Sequence, residues 1–264
     1  MTDLARRSTR RTRRLERYAL PVLVGVLFLC LWDAAVRMSG SDLFPKPVEV
    51  ASGIRELAEK GLLHKYIVAS LFRVTWGFTL AMAVGIPLGL LMGWFRWAFH
   101  ALNPMIQVLR PISPIAWIPV AILWFGVSDA APVFLIFLAS VFPIAVSASA
   151  AVANIQPVYV RAARNFELSR FDLFRRVIVP ATLPQIITGL RIALGIAWLV
   201  VVAAEMIAVN SGLGFLIIDA RNAGKRYDLV VAGMVMIGLI GLVLDLLVRR
   251  MERMDVVRWG YHNQ

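Results

Sequence analysis

Glu205 stands inside the apolar run WLVVVAAEMIAV (198–209). A carboxylate at that depth is costly unless it is paired, hydrogen-bonded or wetted. Three roles fit it: a structural ion pair or hydrogen bond inside a helix bundle, a contact to a conduction path or gate, and a proton-coupling site. SGLGF (211–215) follows, where Gly212 and Gly214 allow a tight turn. Either a short gate-like helix over 214–222 or an ordinary external loop fits that segment. The stretch 155–183 is also patterned. Val160, Ala163 and Phe166 share one helical face, and Phe171, Phe174 and Ile178 share another. Ser169 is placed to cap the second helix with Asp172 at its third position, and Pro180 and Pro184 to end it. Aromatic knobs among Arg161, Arg164, Arg170, Arg175 and Arg176 fit a groove on a cytosolic partner, or a hairpin lying on lipid headgroups.

Other chemistry is missing. There is no GxxxxGK[ST] phosphate loop, because AGKR (223–226) lacks its first glycine and its hydroxyl residue. No HExxH, GxSxG or CxxC occurs. His64, His100 and His262 have no second ligand at metal spacing. Cys30 is the single cysteine, so no intrachain disulfide forms. Its place in an apolar run makes it a lipid-facing or packed thiol. No catalytic, metal or cofactor site is expected in this chain.

The elements that position these residues are membrane helices. Of 264 residues, 59% are hydrophobic and 17% charged, with mean hydropathy +0.74. Soluble domains run about 45–50% apolar and about 25% charged. An all-α polytopic membrane protein is expected, with six spans at 19–38, 67–93, 101–125, 130–153, 184–209 and 228–248. The third is the least regular, holding Pro104, Pro111, Pro114 and Pro119. The first ends in Trp32, Asp33 and Arg37 without a clear cleavage site and reads as a retained span.

The net charge is +12, and Arg6, Arg7, Arg10, Arg11, Arg13, Arg14 and Arg17 crowd the start. No aromatic residue is interleaved there, which disfavours nucleic acid. Residues 1–18 read as a disordered basic tail that fixes topology and touches anionic lipid, 19–250 as the membrane domain and 251–264 as a second tail. With both termini inside, the inner segments carry 17 basic residues and the outer ones 7. The imbalance places both termini in the cytoplasm. Between the first two spans, residues 39–66 hold Glu49, Glu56 and Glu59 alternating with Ile54, Leu57 and Ala58, which predicts a short amphipathic helix on the outer surface. Asp33 and Asp245 fall near span ends and read as interfacial.

The second span places Gly77, Ala81, Gly85, Gly89 and Gly93 on one stripe, fit for packing within the chain or for a dimer seam. Arg73 lies at its outer end, within snorkelling reach of water. Trp117, Trp124 and Trp198 fit a path lining or plain packing. No internal repeat is visible, so a path would more readily be closed by a second copy or a relative.

RAARNFELSRFDLFRRVIVP (161–180) resembles the EAA motif of ABC-importer permeases, E-A-A, three residues, G, nine residues, then I-x-L-P. Ala162, Ala163, Val177, Val179 and Pro180 match in register. SLFRVTWGFTLAMAVGIPLGLLMG (70–93), RPISPIAWIPVAILWFG (110–126), TGLRIALGIAWLVVVAAEM (188–206) and SGLGFLI (211–217) extend the resemblance over about 20–261. Together they look like the branch that imports nitrate, sulfonates, taurine or bicarbonate.

The resemblance implies a type I importer fold in the bacterial inner membrane. The chain would be a transport subunit and not an enzyme. Its path would be shared with a second permease copy or paralogue and supplied by an external binding protein. Two cytosolic ATPase subunits would carry the ATP and magnesium. They would engage Arg161, Ala162, Ala163, Phe166, Glu167, Phe171, Phe174 and Pro180. Arg110, Trp117, Glu205, Gly212 and Gly214 are candidates for the path or gate. Two positions depart from the pattern. The family's glutamate is Arg161 here, and its glycine, where the turn between coupling helices lies, is Glu167.

Two other functions compete. A secondary transporter would use Glu205 to couple an ion gradient, and a membrane scaffold would use its basic segments to recruit partners. The patterned loop, the missing repeat and the single deep carboxylate favour the importer permease.

Overall fold

The computed structural model describes residues 2–40, 44–222 and 224–252. His262, Arg253 and Arg258 lie outside them. Every regular element among the described residues is helical: α1 (Thr2–Ser39), α2 (Pro47–Glu59), α3 (Leu62–Trp94), α4 (Arg96–Leu109), α5 (Ile118–Phe125), α6 (Ala130–Ala153), α7 (Pro157–Asn165), α8 (Arg170–Leu173), α9 (Val179–Ala208), α10 (Leu213–Asn222) and α11 (Tyr227–Glu252). A 3₁₀ turn (Pro114–Trp117) precedes α5 and a π turn (Phe174–Ile178) precedes α9.

Five helical stretches are long and apolar enough to cross a membrane: Ala19–Ser39, Leu62–Trp94, Ala130–Ala153, Arg170–Ala208 and Tyr227–Arg250. The sixth crossing is not the single helix expected over 101–125. It is the pair α4 and α5, bent by 83° at the break between them. Pro111 and Pro114 lie in the break, and each lacks an N–H. Ser113, ahead of Pro114, is extended at ψ 129°, while Arg110, ahead of Pro111, keeps helical geometry. Pro104 is carried inside α4 without a break.

The glycine stripe of α3 explains why the bent pair must count as a crossing. A side chain at Gly77 would meet Ile136, at Gly85 Ile144, at Gly89 Ala148 and at Gly93 Val152. The offset is constant and of one sign, so α3 and α6 run parallel. The chain between them must return to the starting end. The stripe is thus spent on packing within the chain. With no side chains between them the backbones close to contact, as a Cβ at Gly85 would lie 2.9 Å from the Val141 carbonyl oxygen. α9 runs antiparallel to α6, with Ile186 beside Ala148 and Ala151, and Ala204 beside Ala131 and Leu135. These three helices form the core. Residues 19–31 of α1, in contrast, are exposed throughout, and Cys30 with them.

α1 is continuous with the basic start, beginning at Thr2. One further expectation changes. The second helix of the 155–183 stretch does not end at Pro180 and Pro184. The wider π turn is closed by Val179 N–H donating to the Phe174 carbonyl, and it passes directly into α9. Pro180 then takes the second position of α9, where no intrahelical donor is needed.

The amphipathic helix expected in 39–66 is α2. Its start is fixed by Pro47 at the first position and by Lys46 N–H donating to Glu49 Oε2 at 2.8 Å. Val50, Gly53 and Leu57 form its buried face. Gly53 lies against Leu229 and the Asp228 carbonyl, which seats α2 on the start of α11. Arg226 strengthens that seat, reaching Glu56 at 2.6 Å and Asp228 at 2.7 Å.

Candidate functional site

Arg73 does not reach out to water. It is buried, and all five of its N–H groups are engaged. Nη1 donates to Glu205 Oε1 at 2.7 Å and to the Ser211 carbonyl at 2.7 Å. Nε and Nη2 donate to Asp129 Oδ1 at 2.9 and 2.7 Å, and Nη2 also meets Ser211 Oγ at 2.5 Å. Glu205 is fully buried. Its Oε2 accepts from Ser70 Oγ at 2.8 Å and from Gly214 N–H at 3.0 Å. Ser70 Oγ in turn accepts from Leu213 N–H at 3.0 Å. The first two amides of α10, Leu213 and Gly214, are therefore satisfied by Ser70 and Glu205, and the carboxylate sits where the helix dipole favours it.

One cluster thus ties together α3, α9, the start of α6 and the start of α10. Of its charged members only Asp129 is substantially exposed. Gly212, with φ +104°, and Gly214 both close on Glu205. A Cβ at Gly212 would overlap the Glu205 carboxyl group, and one at Gly214 would overlap the Val202 carbonyl. Residues 213–222 form a true helix, α10, packed through Leu213 and Leu216 with Tyr66, Ala197, Val201 and Ala232.

Glu205 is ion-paired and hydrogen-bonded inside the bundle, held by three donors and closed off from the surface. A coupling carboxylate has to exchange its proton with solvent, so the ion-driven alternative is not favoured. Sequence pattern missed Arg73, Ser70, Asp129 and Ser211. Arg73 and Glu205 lie 132 positions apart, beyond the reach of any local periodicity. The available signal was a serine and an arginine at i, i+3 in one apolar span and a lone acid deep in another, the one acid buried among the described residues.

The remaining candidates for the path separate. Arg110 is exposed at the end of α4, and Trp117 is half-buried in the 3₁₀ turn. Trp198 packs inward, its Nε1 donating to the Ile237 carbonyl at 3.1 Å. Asp33 pairs with Arg37, and Asp245 with Arg191.

At the other end of α3, the 155–183 stretch forms a hairpin. Ala163, Leu173 and Ile178 are buried, with Trp94, Val160, Leu168 and Phe174 packed on them. The Trp94 and Phe174 rings meet at 5.5 Å. α7 ends in a Schellman cap, with Leu168 N–H donating to the Ala163 carbonyl and Glu167 N–H to the Arg164 carbonyl. The left-handed position of that cap is Glu167, at φ +53°. The glycine of the family pattern is absent, yet the glycine backbone is kept. The cap rotates Phe166 away from the face shared by Val160 and Ala163, leaving it 81% exposed. Phe171, 70% exposed, likewise does not share the buried face of Phe174 and Ile178. Arg161 and Ala162 are exposed and Pro180 is half-buried. Ser169 caps α8 as its position predicts, accepting from Asp172 N–H at 3.1 Å.

Residues 85–254 match the family described as binding-protein-dependent transport system inner membrane component. The chain belongs to this family. It is 37% identical to the nitrate import permease protein NrtB of Leptolyngbya laminosa, over 91% of this chain and 93% of that protein. It is likewise 37% identical to the taurine transport system permease protein TauC of Escherichia coli (strain K12), over 87% and 86%. A structure of the MetNI methionine ABC transporter in an inward-facing conformation superposes with a TM-score of 0.65 at 17% identity, covering 74% of this chain and 97% of that one. The fold is that of a type I ABC importer permease. Membership makes the chain a multi-pass transport subunit and not an enzyme.

Proposed function

We propose that this chain, with a second copy or a close paralogue, encloses the path of an ATP-driven importer for a small anion of the nitrate, sulfonate, taurine or bicarbonate type. An external binding protein delivers the anion. Two cytosolic ATPase subunits hold ATP and magnesium and grip the 161–180 hairpin. The membrane is the bacterial inner membrane, with both termini and the hairpin on the cytoplasmic side. The observation that carries the reading is the hairpin itself. Phe166 and Phe171 project as exposed aromatic knobs, among the described residues, from a base fixed by Ala163, Leu173 and Ile178. Aromatic anchors of that kind seat in pockets of a partner.

The mechanism follows from how the hairpin is joined to the rest. α9 continues from it without a break to the residues around Glu205. Its 30 residues span about 45 Å at 1.5 Å per residue. Closure of the ATPase pair on ATP displaces the hairpin. α9 carries the displacement to the Arg73–Glu205 cluster, and α10 moves with it. Arg110 and Trp117, at the bend between α4 and α5, line the path. Arg161 replaces an acid of the family pattern, so it faces an acidic residue on the ATPase.

Purification from the native host in mild detergent, with mass spectrometry of the proteins recovered, tests the reading. The expected result is an ATPase at one copy per permease, lost when Phe166 and Phe171 are both changed to Ala while the permease stays folded. Recovery without any ATPase, under conditions that hold other importers together, would contradict it.

A further inference from the structure

α4 carries three faces. Ala98 and Ile106 are buried, with Leu102 packed beside Ile106. Trp97, Met105 and Val108 form an exposed apolar face. Arg96, His100, Asn103, Gln107 and Arg110 fall on the third, at i, i+4, i+7, i+11 and i+14. Those are all the polar side chains of the segment, and that spacing is one stripe of a helix. Arg110 caps α4 in helical geometry and so belongs to the stripe. Asn103 is half-buried and the other four are exposed.

The stripe ends at mid-bundle. Ile106 shares a buried cluster with Ala145, and Ile118 shares one with Leu135 and Ala139. Arg110, between them in the chain, is therefore level with the middle of α6. α6 has 24 residues, about 36 Å at 1.5 Å per residue. As it crosses, its middle falls inside a hydrocarbon core about 30 Å thick. An arginine left exposed to lipid at that level is costly. The chain does not neutralise it either, because the Arg110 side chain has no hydrogen bond or ion pair among the described residues. Asp33, Asp172, Glu205, Asp228 and Asp245 are the acids of the crossings among those residues, and each already holds an arginine. A second copy of the chain would bring the same paired set.

We infer that this stripe lines the water-filled path and that Arg110 is the residue that contacts the transported anion. Its guanidinium fork presents two parallel N–H donors. Nitrate, a sulfonate and bicarbonate each offer paired oxygens to that fork, and a halide does not. Gln107 and Asn103 continue the stripe as neutral donors, which hydrogen-bond an anion without trapping it by charge. The inference rests on the transport reading and adds to it the residue that selects the cargo.

The copurified assembly in proteoliposomes tests this in two ways. Cys30 is the single cysteine, so in a Cys30→Ser background one introduced thiol reports its own surroundings. Gln107→Cys, on the stripe, is expected to react with a charged methanethiosulfonate about tenfold faster than Met105→Cys, on the apolar face, because the reactive thiolate needs water. Adding Arg110→Gln to Gln107→Cys is expected to cut the ratio of sulfonate-bearing to trimethylammonium-bearing reagent rates about tenfold. Attraction of one reagent and repulsion of the other each count a few-fold over one helical turn in water. In the otherwise unaltered chain, Arg110→Gln is expected to slow ATP-driven anion uptake about 10- to 100-fold, the worth of a charge-assisted contact. The half-saturating concentration, set by the binding protein, is expected to stay the same. Arg110→Lys, which keeps the charge and loses the fork, is expected to fall between. Arg250→Gln, exposed at the end of α11, is expected to keep the parent rate. An unchanged thermal midpoint and an unchanged ATPase content check folding and assembly. Equal thiol rates at the two positions, a reagent ratio indifferent to Arg110, or unchanged uptake in Arg110→Gln would each overturn the inference. So would an equal loss from Arg250→Gln, which marks a general positive field. Absence of uptake from the parent would refute the transport reading instead, and the thiol rates would still decide whether Arg110 faces water and draws anions.

Discussion

Replacing Glu205 with Ala isolates what the buried cluster contributes. The change strands Ser70 Oγ and Gly214 N–H and removes the only buried counter-charge of Arg73. Arg73 keeps Ser211 and Asp129, but Asp129 is 60% exposed and so a weak partner. Breaking a buried pair by deleting one member costs about 3–5 kcal/mol. At about 2–4 °C of thermal midpoint per kcal/mol for a chain of this size, the loss is on the order of 10 °C. Asp129→Asn touches the exposed arm of the same arginine and is expected to cost less than about 1 kcal/mol. Arg73→Leu alone is expected to match the Glu205 variant. The double variant is expected to cost about 2 kcal/mol less than the sum of the singles, because neither then leaves a lone buried charge. The assay is the thermal midpoint of detergent-purified protein by intrinsic tryptophan fluorescence. A Glu205→Ala midpoint within about 2 °C of the parent, or singles that simply add in the double, would refute the reasoning.

Gly89→Leu drives a side chain into the Ala145 carbonyl and Ala148. It is expected to destabilise by about 1–3 kcal/mol or more, as overpacking does, whereas Gly195→Leu points into open space and leaves the midpoint unchanged. Glu167→Gly relieves left-handed strain of about 1–2 kcal/mol, partly offset by glycine's chain entropy of about 0.5–1 kcal/mol. The net is a midpoint slightly raised, and Glu167→Val is expected to lower it. The Arg226 guanidinium, helped by the Lys60 ammonium, holds the Glu56 carboxyl down from 4.5 to about 2. A depressed carboxylate contributes its stability above its unfolded value and loses it as pH falls through the folded one. Hydrogen exchange at α2, corrected for intrinsic rate, is therefore expected to hold constant from pH 7 to pH 5 and rise only toward pH 2, with Glu56→Gln raised throughout.

What could be read from the sequence followed its periodicity. The helices, the amphipathic segment after the first span and the Ser169 cap all depend on residues a few positions apart, and the structure contains each of them. The glycine stripe was visible too, but its partner was not, because the register against α6 is a long-range fact. The same limit hid Arg73. One arginine in an apolar run looks like a snorkelling residue until the acid that meets it is known. The prolines misled in both directions. Pro111 and Pro114 lie in the break of a crossing that hydropathy treats as continuous, while Pro180 falls at the second position of α9 and Pro184 is carried inside it without ending it. At Glu167 the residue type argued against a left-handed turn. The Schellman hydrogen bonds and the burial of Leu168 and Ala163 impose it regardless.

The central claim is that ATP, spent by a partner, drives anions through this chain. The direct measurement is uptake of labelled nitrate and taurine into proteoliposomes holding the copurified complex, with the binding protein outside and ATP sealed inside. Uptake of one anion that requires internal ATP, and that an imposed proton or sodium gradient cannot replace, is the predicted result. Uptake driven by the gradient alone, or none with ATP hydrolysis intact across the anions of this class, would contradict the account.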